Sequence, residues 1–326
     1  MVSSKDVATQ AGVSQATVSR VLNHPDRVQE KTRRKVEAAI EALKYVPNAH
    51  ARSLVQDTTK LITLLSGPLY NPFFVETTSA IVTYANERGY QVNVQFVQDD
   101  ELAEAYATAI QTKMAGMILS CVFLEDAIFE QLTHMSIPFI TYNRKHARNE
   151  YFVEIDNVQA GYLAAKHLQD LGHTRIAFIG GSQKVSTFRD RFIGVQQALG
   201  ELPQELIVHD TASKAEVLKA HAKLKTLSAP PTAIVCGADS IALEVMDVAY
   251  KERIQIPEEL SIIGIDNVER SRHGAIELTT VGSISERNLG LVAIQELIKM
   301  IESEKKPCIQ ITESVKVFCR STTQPC

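Results

Sequence analysis

From Lys60 onward, short apolar runs alternate with helical segments, and the pattern is played through twice. "KLITLLSG" reads as a buried strand, and "QVNVQFV", "AGMILSCVF" and "IPFITYN" read as further strands. Between them lie a helix from "YNPFF" to "NERGY", then "DELAEAYATAIQTKM" and "EDAIFEQLTHM". The pattern restarts with the helix "DNVQAGYLAAKHLQDLG", the strand "TRIAFIGG" and a helix around "FIGVQQALG". A helix at "KAEVLKAHAKLKTL", the strand "TAIVCGA", the helix "SIALEVMDVAYKERI" and the strand "LSIIGID" complete it. Strands separated by helices pair in parallel and need both sheet faces covered. Two sets imply two doubly wound subdomains, with ligand chemistry in loops at the carboxyl ends of the strands.

Composition narrows the class. At 326 residues the chain can build more than one core, and 45% hydrophobic with 22% charged residues fits a globular protein. No apolar run reaches membrane-spanning length, and the polar start "MVSSKDVATQ" is no secretion signal, so a cytoplasmic location is expected. Five widely spaced cysteines without a CxxC pair suit reduced thiols, most of them expected to be buried bystanders. Nine histidines form no HxxxH or Cys/His cluster, so no metal site is expected. Residues 1–60 hold ten Lys/Arg against six Asp/Glu, whereas the remainder is acidic. A basic head on an acidic body suits an N-terminal module that meets a polyanion.

That head has its own pattern. In "GVSQATVSRVLN", a helical period places Gln15, Ala16, Ser19 and Arg20 on one face and Val18, Val21 and Leu22 on the other. Upstream, "KDVATQAG" offers Val7, Ala8 and Ala11 before a turn at Gly12. Two short helices joined at a glycine, the second with a free polar face, form a helix-turn-helix or an ordinary helical hairpin. A third helix over Glu30–Lys44 can complete the small core, and Pro47 stops it. "NAHARSLVQDTTK" follows. Asn48 can cap two helical turns to Val55, although such a helix is marginal alone and a linker is the plainer reading.

Several pieces in order resemble the LacI/GalR family of bacterial transcription regulators: "KDVATQAGVSQATVSRVLN", "VPNAHARSL", "NPFF", "VEIDN", "LGHTRIAFIGG", the R-x-x-G of "RFIGV", "PTAIVCGAD", "IPEELSIIGIDN" and "RST". The resemblance covers essentially the whole chain. It implies an all-α helix-turn-helix module at 1–47 and a hinge helix with linker at 48–59. An α/β effector-binding and dimerisation domain fills 60–326. That domain resembles a periplasmic sugar-binding protein, its chain crossing between subdomains near 156–158, 283–286 and 311–314.

The function implied is a cytoplasmic DNA-binding repressor controlled by a small molecule, with no cofactor and no membrane contact. Its partners would be a pseudo-palindromic double-stranded operator and a second copy. No leucine heptad follows "RSTTQPC", which favours the dimer over a coiled-coil tetramer. Gln15, Ala16 and Arg20 are expected at base edges, with Arg20 on phosphate alone as the alternative. Ser4, Thr17, Ser19 and Asn23 suit phosphate and orientation. Asn48 would cap a hinge helix that folds on DNA, Ala51 would let two such helices approach, and Leu54 would wedge into the minor groove.

The resemblance also places Phe73, Phe74, Asp156, Arg191, Asp239 and Asp266 on loops facing an effector cleft, with Asn143 and Arg189 as further members. Carboxylates, a guanidinium and an aromatic ring suit a sugar or sugar derivative, with a purine or nucleoside as the alternative. Each aspartate could equally be a loop cap or an arginine partner. Three departures from the family pattern lie near the cleft: Asn143–Arg144, Ala238–Asp239, and the missing Gln-Pro after "LTTV". Two other classes fit worse. A transport protein should lack the first 58 residues. An enzyme finds no GxGxxG, GxxxxGK[ST] or nucleophilic triad here, and the resemblance gives His173 a structural role.

Overall fold

Ser3 opens the first helix, α1 (Ser4–Ala11), with a reciprocal cap. The Asp6 N–H donates to Ser3 Oγ and the Ser3 N–H to Asp6 Oδ2 at 2.8 Å. The Ser3 N–H and the Ser3 hydroxyl both donate to Asp6 Oδ2 and hold that carboxyl below its ordinary range. Gly12, at φ 65°, ends the helix in the left-handed region that favours glycine. Ser14 then accepts from the Thr17 N–H to start α2 (Gln15–Asn23). The third helix, α3, runs Glu30–Ala42, two residues short of the expected end. Lys44 turns left-handed and the Tyr45 N–H returns to the Ile40 carbonyl, closing the helix before Pro47 is reached. Val7, Val18 and Val36 are fully buried and join Ala8, Ala11, Val21 and Ala39 in one small core.

These helices come from a computed structural model that describes residues 2–23, 25–45, 59–135, 137–148, 150–211, 213–303 and 308–326. The chain divides into two units, Met1–Thr59 and Lys60–Cys326. Asn48, Ala51 and Leu54 lie outside the described residues, as does the Asn23 side chain.

The second unit contains two six-stranded sheets. The first has β1 (Leu61–Ser66), β2 (Gln91–Phe96), β3 (Gly116–Leu119), β4 (Phe139–Tyr142), β5 (Tyr151–Ile155) and β11 (Ile309–Glu313). Its order is β11-β5-β4-β3-β1-β2, parallel throughout. The second has β6 (Ile176–Ile179), β7 (Ile207–Val208), β8 (Ala233–Cys236), β9 (Ser261–Ile265), β10 (Thr280–Ser283) and β12 (Val315–Phe318). Its order is β12-β10-β9-β8-β6-β7, and β12 departs from the expected all-parallel pattern by running antiparallel to β10.

Side chains of the central strands alternate between two cores, which is why those strands read as unbroken apolar runs. Ile176 and Phe178 of β6, Ala233 and Val235 of β8, and Ile263 of β9 face one core. Ala177, Ile179, Ile234 and Ile262 face another. On the first sheet α4 (Pro72–Glu87) and α11 (Leu289–Glu302) cover one face, and α5 (Leu102–Ile110) with α6 (Ala127–His134) the other. On the second, α7 (Asn157–Asp170) and α8 (Ser186–Leu199) lie opposite α9 (Lys214–Lys225) and α10 (Asp239–Lys251). The chain passes between sheets at Asp156, between Ser283 and Leu289, and at Ser314.

Two glycines place the residue that matters most below. A Cβ on Gly161 of α7 would sit 1.8 Å from the Arg191 carbonyl oxygen, and one on Gly194 of α8 1.9 Å from that of Val158. Without side chains there, the α7 and α8 backbones touch, and α8 carries Arg191 to the carboxyl end of the sheet. The cysteine expectation needs correcting. Cys121 and Cys236 are buried, but Cys308, Cys319 and Cys326 are exposed, because they sit in the peripheral closing segment of the chain. No helix among the described residues is long and apolar enough to cross a membrane.

Candidate DNA face and effector cavity

On α2 the apolar face is consumed by the three-helix core, so the opposite face is left to solvent. Gln15, Ala16 and Arg20 are exposed, while Thr17 and Ser19 are half-buried. The Gln15 Nε2 donates to Ser4 Oγ at 2.9 Å, so the two residues are already joined across the turn. Ser14 and Thr17 hydroxyls lie 2.9 Å apart. Arg20 has no hydrogen-bond or ion-pair partner among the described residues, which leaves all five guanidinium N–H donors available. By contrast, Arg33 and Arg34 of α3 are paired with Glu37 and Glu30.

In the second unit a cavity of about 250 Å³ opens between the two sheets at the carboxyl ends of their strands. Four of the expected effector residues line it: Phe73, Asn143, Arg191 and Asp266. Phe73 starts α4, whose first turn is capped by Asn71. Arg191 is 1% exposed. Its Nε donates to Asn157 Oδ1 at 2.9 Å, one terminal nitrogen to the Gly237 carbonyl at 2.6 Å, and the other to Asp266 Oδ1 at 2.6 Å. Three of five donors are thus used and two remain. Asn157 in turn donates to Glu154 Oε2 at 3.3 Å, and Glu154 is paired with Lys145. A continuous polar ladder therefore runs from Asp266 in the second subdomain to Lys145 in the first.

The other four expected residues do not reach the cavity. Phe74 is buried against Gly67, where even a Cβ would meet its ring at 2.2 Å. Asp156 caps α7 by accepting the Gln159 N–H at 2.9 Å, as a carboxylate before a helix commonly does. Arg189 turns back onto its neighbour Asp190. Asp239 is fully buried beneath the cavity floor, accepting from the Thr280 hydroxyl at 2.5 Å and the Val268 N–H at 3.0 Å. Burial, reinforced by the nearby charge of Asp266, pushes its carboxyl up to about 7 against the lowering effect of those two bonds. Burial also raises Asp266, opposed by Arg191.

The cavity contains residues that the sequence reading missed. Glu76 lies one turn beyond Phe73 on the same helix, and its Oε1 accepts the Glu269 N–H at 2.9 Å, from the other subdomain. Burial raises its carboxyl above the ordinary range against that bond. Arg272, paired with Glu286 at 3.0 Å, and Arg287, paired with Glu313, come from the second crossing and its neighbour. The charged "SISER", standing where the family pattern expects Gln-Pro, was the available signal. A further sign is backbone conformation. Asn143, Asp266, Asn267 and Glu286 all have positive φ and all line the cavity. Such conformations are held in place by surrounding structure and gather at functional sites.

The subdomains also touch beside the cavity. Thr187 Oγ1 donates to the Asn143 carbonyl at 2.6 Å, and the Lys145 N–H to Ser186 Oγ at 2.9 Å. His173 bridges Thr232 and the Gln324 carbonyl, tying down the closing segment.

Comparison with known proteins places this geometry. Residues 4–48 match the model of the bacterial regulatory proteins of the lacI family, and residues 165–323 that of a periplasmic binding protein-like domain. The HTH-type transcriptional repressor PurR of Erwinia tasmaniensis is 33% identical over 94% of this chain and 92% of its own. The HTH-type transcriptional regulator DegA of Bacillus subtilis is 34% identical over 85% of each. The lac repressor dimer, solved bound to operator and the anti-inducer ONPF, superposes with a TM-score of 0.83 at 25% identity over 99% of both chains. A basic three-helix head with a free polar face, two largely parallel sheets around a polar cavity and these relatives agree: the chain belongs to the lacI family of bacterial regulatory proteins and is a DNA-binding transcriptional repressor.

Proposed function

We propose that operator affinity is controlled by a sugar or sugar derivative bound in the cavity between the two sheets. The observation that carries this is the cavity's lining: both subdomains supply it, with Phe73 beside the unused donors of Arg191, the amides of Asn143, Asn267 and Asn288, and the Glu76 carboxylate. Paired donors and acceptors suit vicinal hydroxyls, and an aromatic ring covers a sugar's apolar face. At about 250 Å³ the cavity suits a ligand of one or two rings. A purine or nucleoside is the second reading, because Phe73 stacks equally well on a heterocycle and the amides can pair with its edge. A thermal-shift panel of sugars, sugar phosphates, purines and nucleosides tests both readings. The true effector at 100 times its Kd adds roughly 2.7 kcal/mol of stability. If every sugar leaves the melting temperature unchanged and a purine raises it, the sugar reading fails.

At the other end, α2 enters the major groove with Gln15, Ala16 and Arg20 at base edges and Ser4, Thr17, Ser19 and Asn23 toward phosphate. The hinge over 48–59 folds on DNA and inserts Leu54 at the operator centre. A homodimer on a pseudo-palindromic site in the cytoplasm is supported by the likeness to a repressor solved as a dimer on its operator. The repressor relatives favour a chain without catalytic activity of its own. Arg20→Ala is expected to cost about 1–3 kcal/mol of operator binding and to relax preference at one base pair per half-site. Selection from a randomised operator pool reads this out. Unchanged preference with uniformly weaker binding would move Arg20 to phosphate.

A further inference from the structure

The second subdomain carries another recess, of about 210 Å³, at the opposite end of its sheet. Pro231 and Ile234, at the start of β8, line it, whereas the Gly237 carbonyl that holds Arg191 follows the end of that strand. Four strand residues separate the ends, or about 13 Å. Most of the lining is apolar, with Leu224, Pro231, Ile234, Ile254 and Leu260, and two exposed charged residues, Lys225 and Glu259, complete it. The buried polar side chain among them is His221 of α9, only 3% exposed.

His221 makes no hydrogen bond to any described residue. Its Nδ1 is buried without a partner. The nearby Glu252 Oε2 is 3.9 Å away, out of hydrogen-bond range, and already accepts from Lys225 at 2.7 Å. Burial lowers the ring's proton affinity, so the imidazole is neutral at pH 7, with one donor and one acceptor nitrogen. The Glu252 charge favours the proton on Nδ1 and leaves Nε2 as the acceptor. Against the buried part of the wall a water would find His221 as its polar partner, short of the two to four it needs, whereas an apolar pocket of about 150 Å³ is large enough to hold benzene.

We propose that this recess is a second small-molecule site, taking a one- or two-ring aromatic whose single O–H or N–H donates to His221 Nε2. Phenol is the probe and benzene its donorless control, titrated into the full-length protein. Binding is followed on the His221 ring nitrogens and the Ile234 methyl groups by NMR. Phenol should shift both signals saturably with one Kd, and benzene should bind about five-fold more weakly, the loss of one hydrogen bond. His221→Phe, which keeps the ring shape, should bring the two Kd values together as read on Ile234. Ile254→Trp, which fills the recess, should abolish both. The proposal is overturned if phenol gives no saturable shift at these nuclei. It is equally overturned if phenol and benzene bind alike to the wild-type protein, because the histidine then takes no part.

Discussion

Replacing Arg191 by alanine is expected to lower the stability of the second unit by about 3–5 kcal/mol and to abolish the response to effector. The guanidinium and the Asp266 carboxylate are 1% and 7% exposed and 2.6 Å apart, with the buried Asp239 close by. Truncating the arginine strands a buried carboxylate, orphans the Asn157 amide oxygen and the Gly237 carbonyl, and removes the guanidinium from the cavity lining. For a unit of this size each kcal/mol moves the melting temperature by roughly 2–4 °C, so a fall of about 6–20 °C should appear in calorimetry. Operator retardation without effector should survive below that temperature, because the head has its own core. The double variant Arg191→Ala/Asp266→Asn separates the two roles. With no charge stranded it should recover part of the stability and none of the effector response. Wild-type melting and response in Arg191→Ala would remove the residue from the site.

Asp239→Asn is expected to weaken a pH dependence. In the folded chain this carboxyl titrates at about 7, against roughly 3.9 when unfolded. Between those values the folded state holds a proton that the unfolded state has released. Its contribution is therefore complete below pH 4 and is lost as pH rises through 7. The amide cannot ionise and can still accept from the Val268 N–H while the Thr280 hydroxyl reverses. The variant should thus gain on the wild type by a few kcal/mol between pH 5 and pH 8 in urea unfolding. Glu76 and Glu154, also raised, act in the same direction in both proteins and cancel in the difference, whereas Asp266 loses a neighbouring negative charge in the variant and adds to the gain. Parallel stability profiles across that range would show that Asp239 is ionised throughout.

What could be read without coordinates followed from local periodicity. Val7, Val18 and Val36 announced the head's core through helical spacing. β1 and β3 announced themselves because a strand buried on both faces cannot hide its apolar residues, and the edge strand β2 through its alternation of Val92 and Val94 with polar neighbours. The closing third of the chain was harder. β10, "TVGS", is buried yet half polar, since Thr280 faces Asp239 and Gly282 lies against Asn267. β11 and β12 are edge strands, with Gln310, Thr312 and Lys316 exposed between apolar neighbours. α11 is the exception: Gln295, Glu296, Lys299 and Glu302 recur with a helical period against its apolar side, so this helix was legible in the sequence.

The same division runs through the cavity. The sequence by itself determined which chemistry the chain carries: a polar face on α2, and Phe73, Asn143, Arg191 and Asp266 close to the ends of strands or in the first two turns of helices. Only the tertiary structure decided which charges are spent internally. It turned Asp156 into a cap, folded Arg189 onto Asp190 and sank Asp239 under the floor, while bringing Glu76 to Glu269 across 193 residues of chain. Residue type fixes what a side chain can bond. Whether that bond goes to the protein or remains for a ligand depends on backbone contacts as close as those at Gly161 and Gly194, between helices whose separation no local pattern encodes.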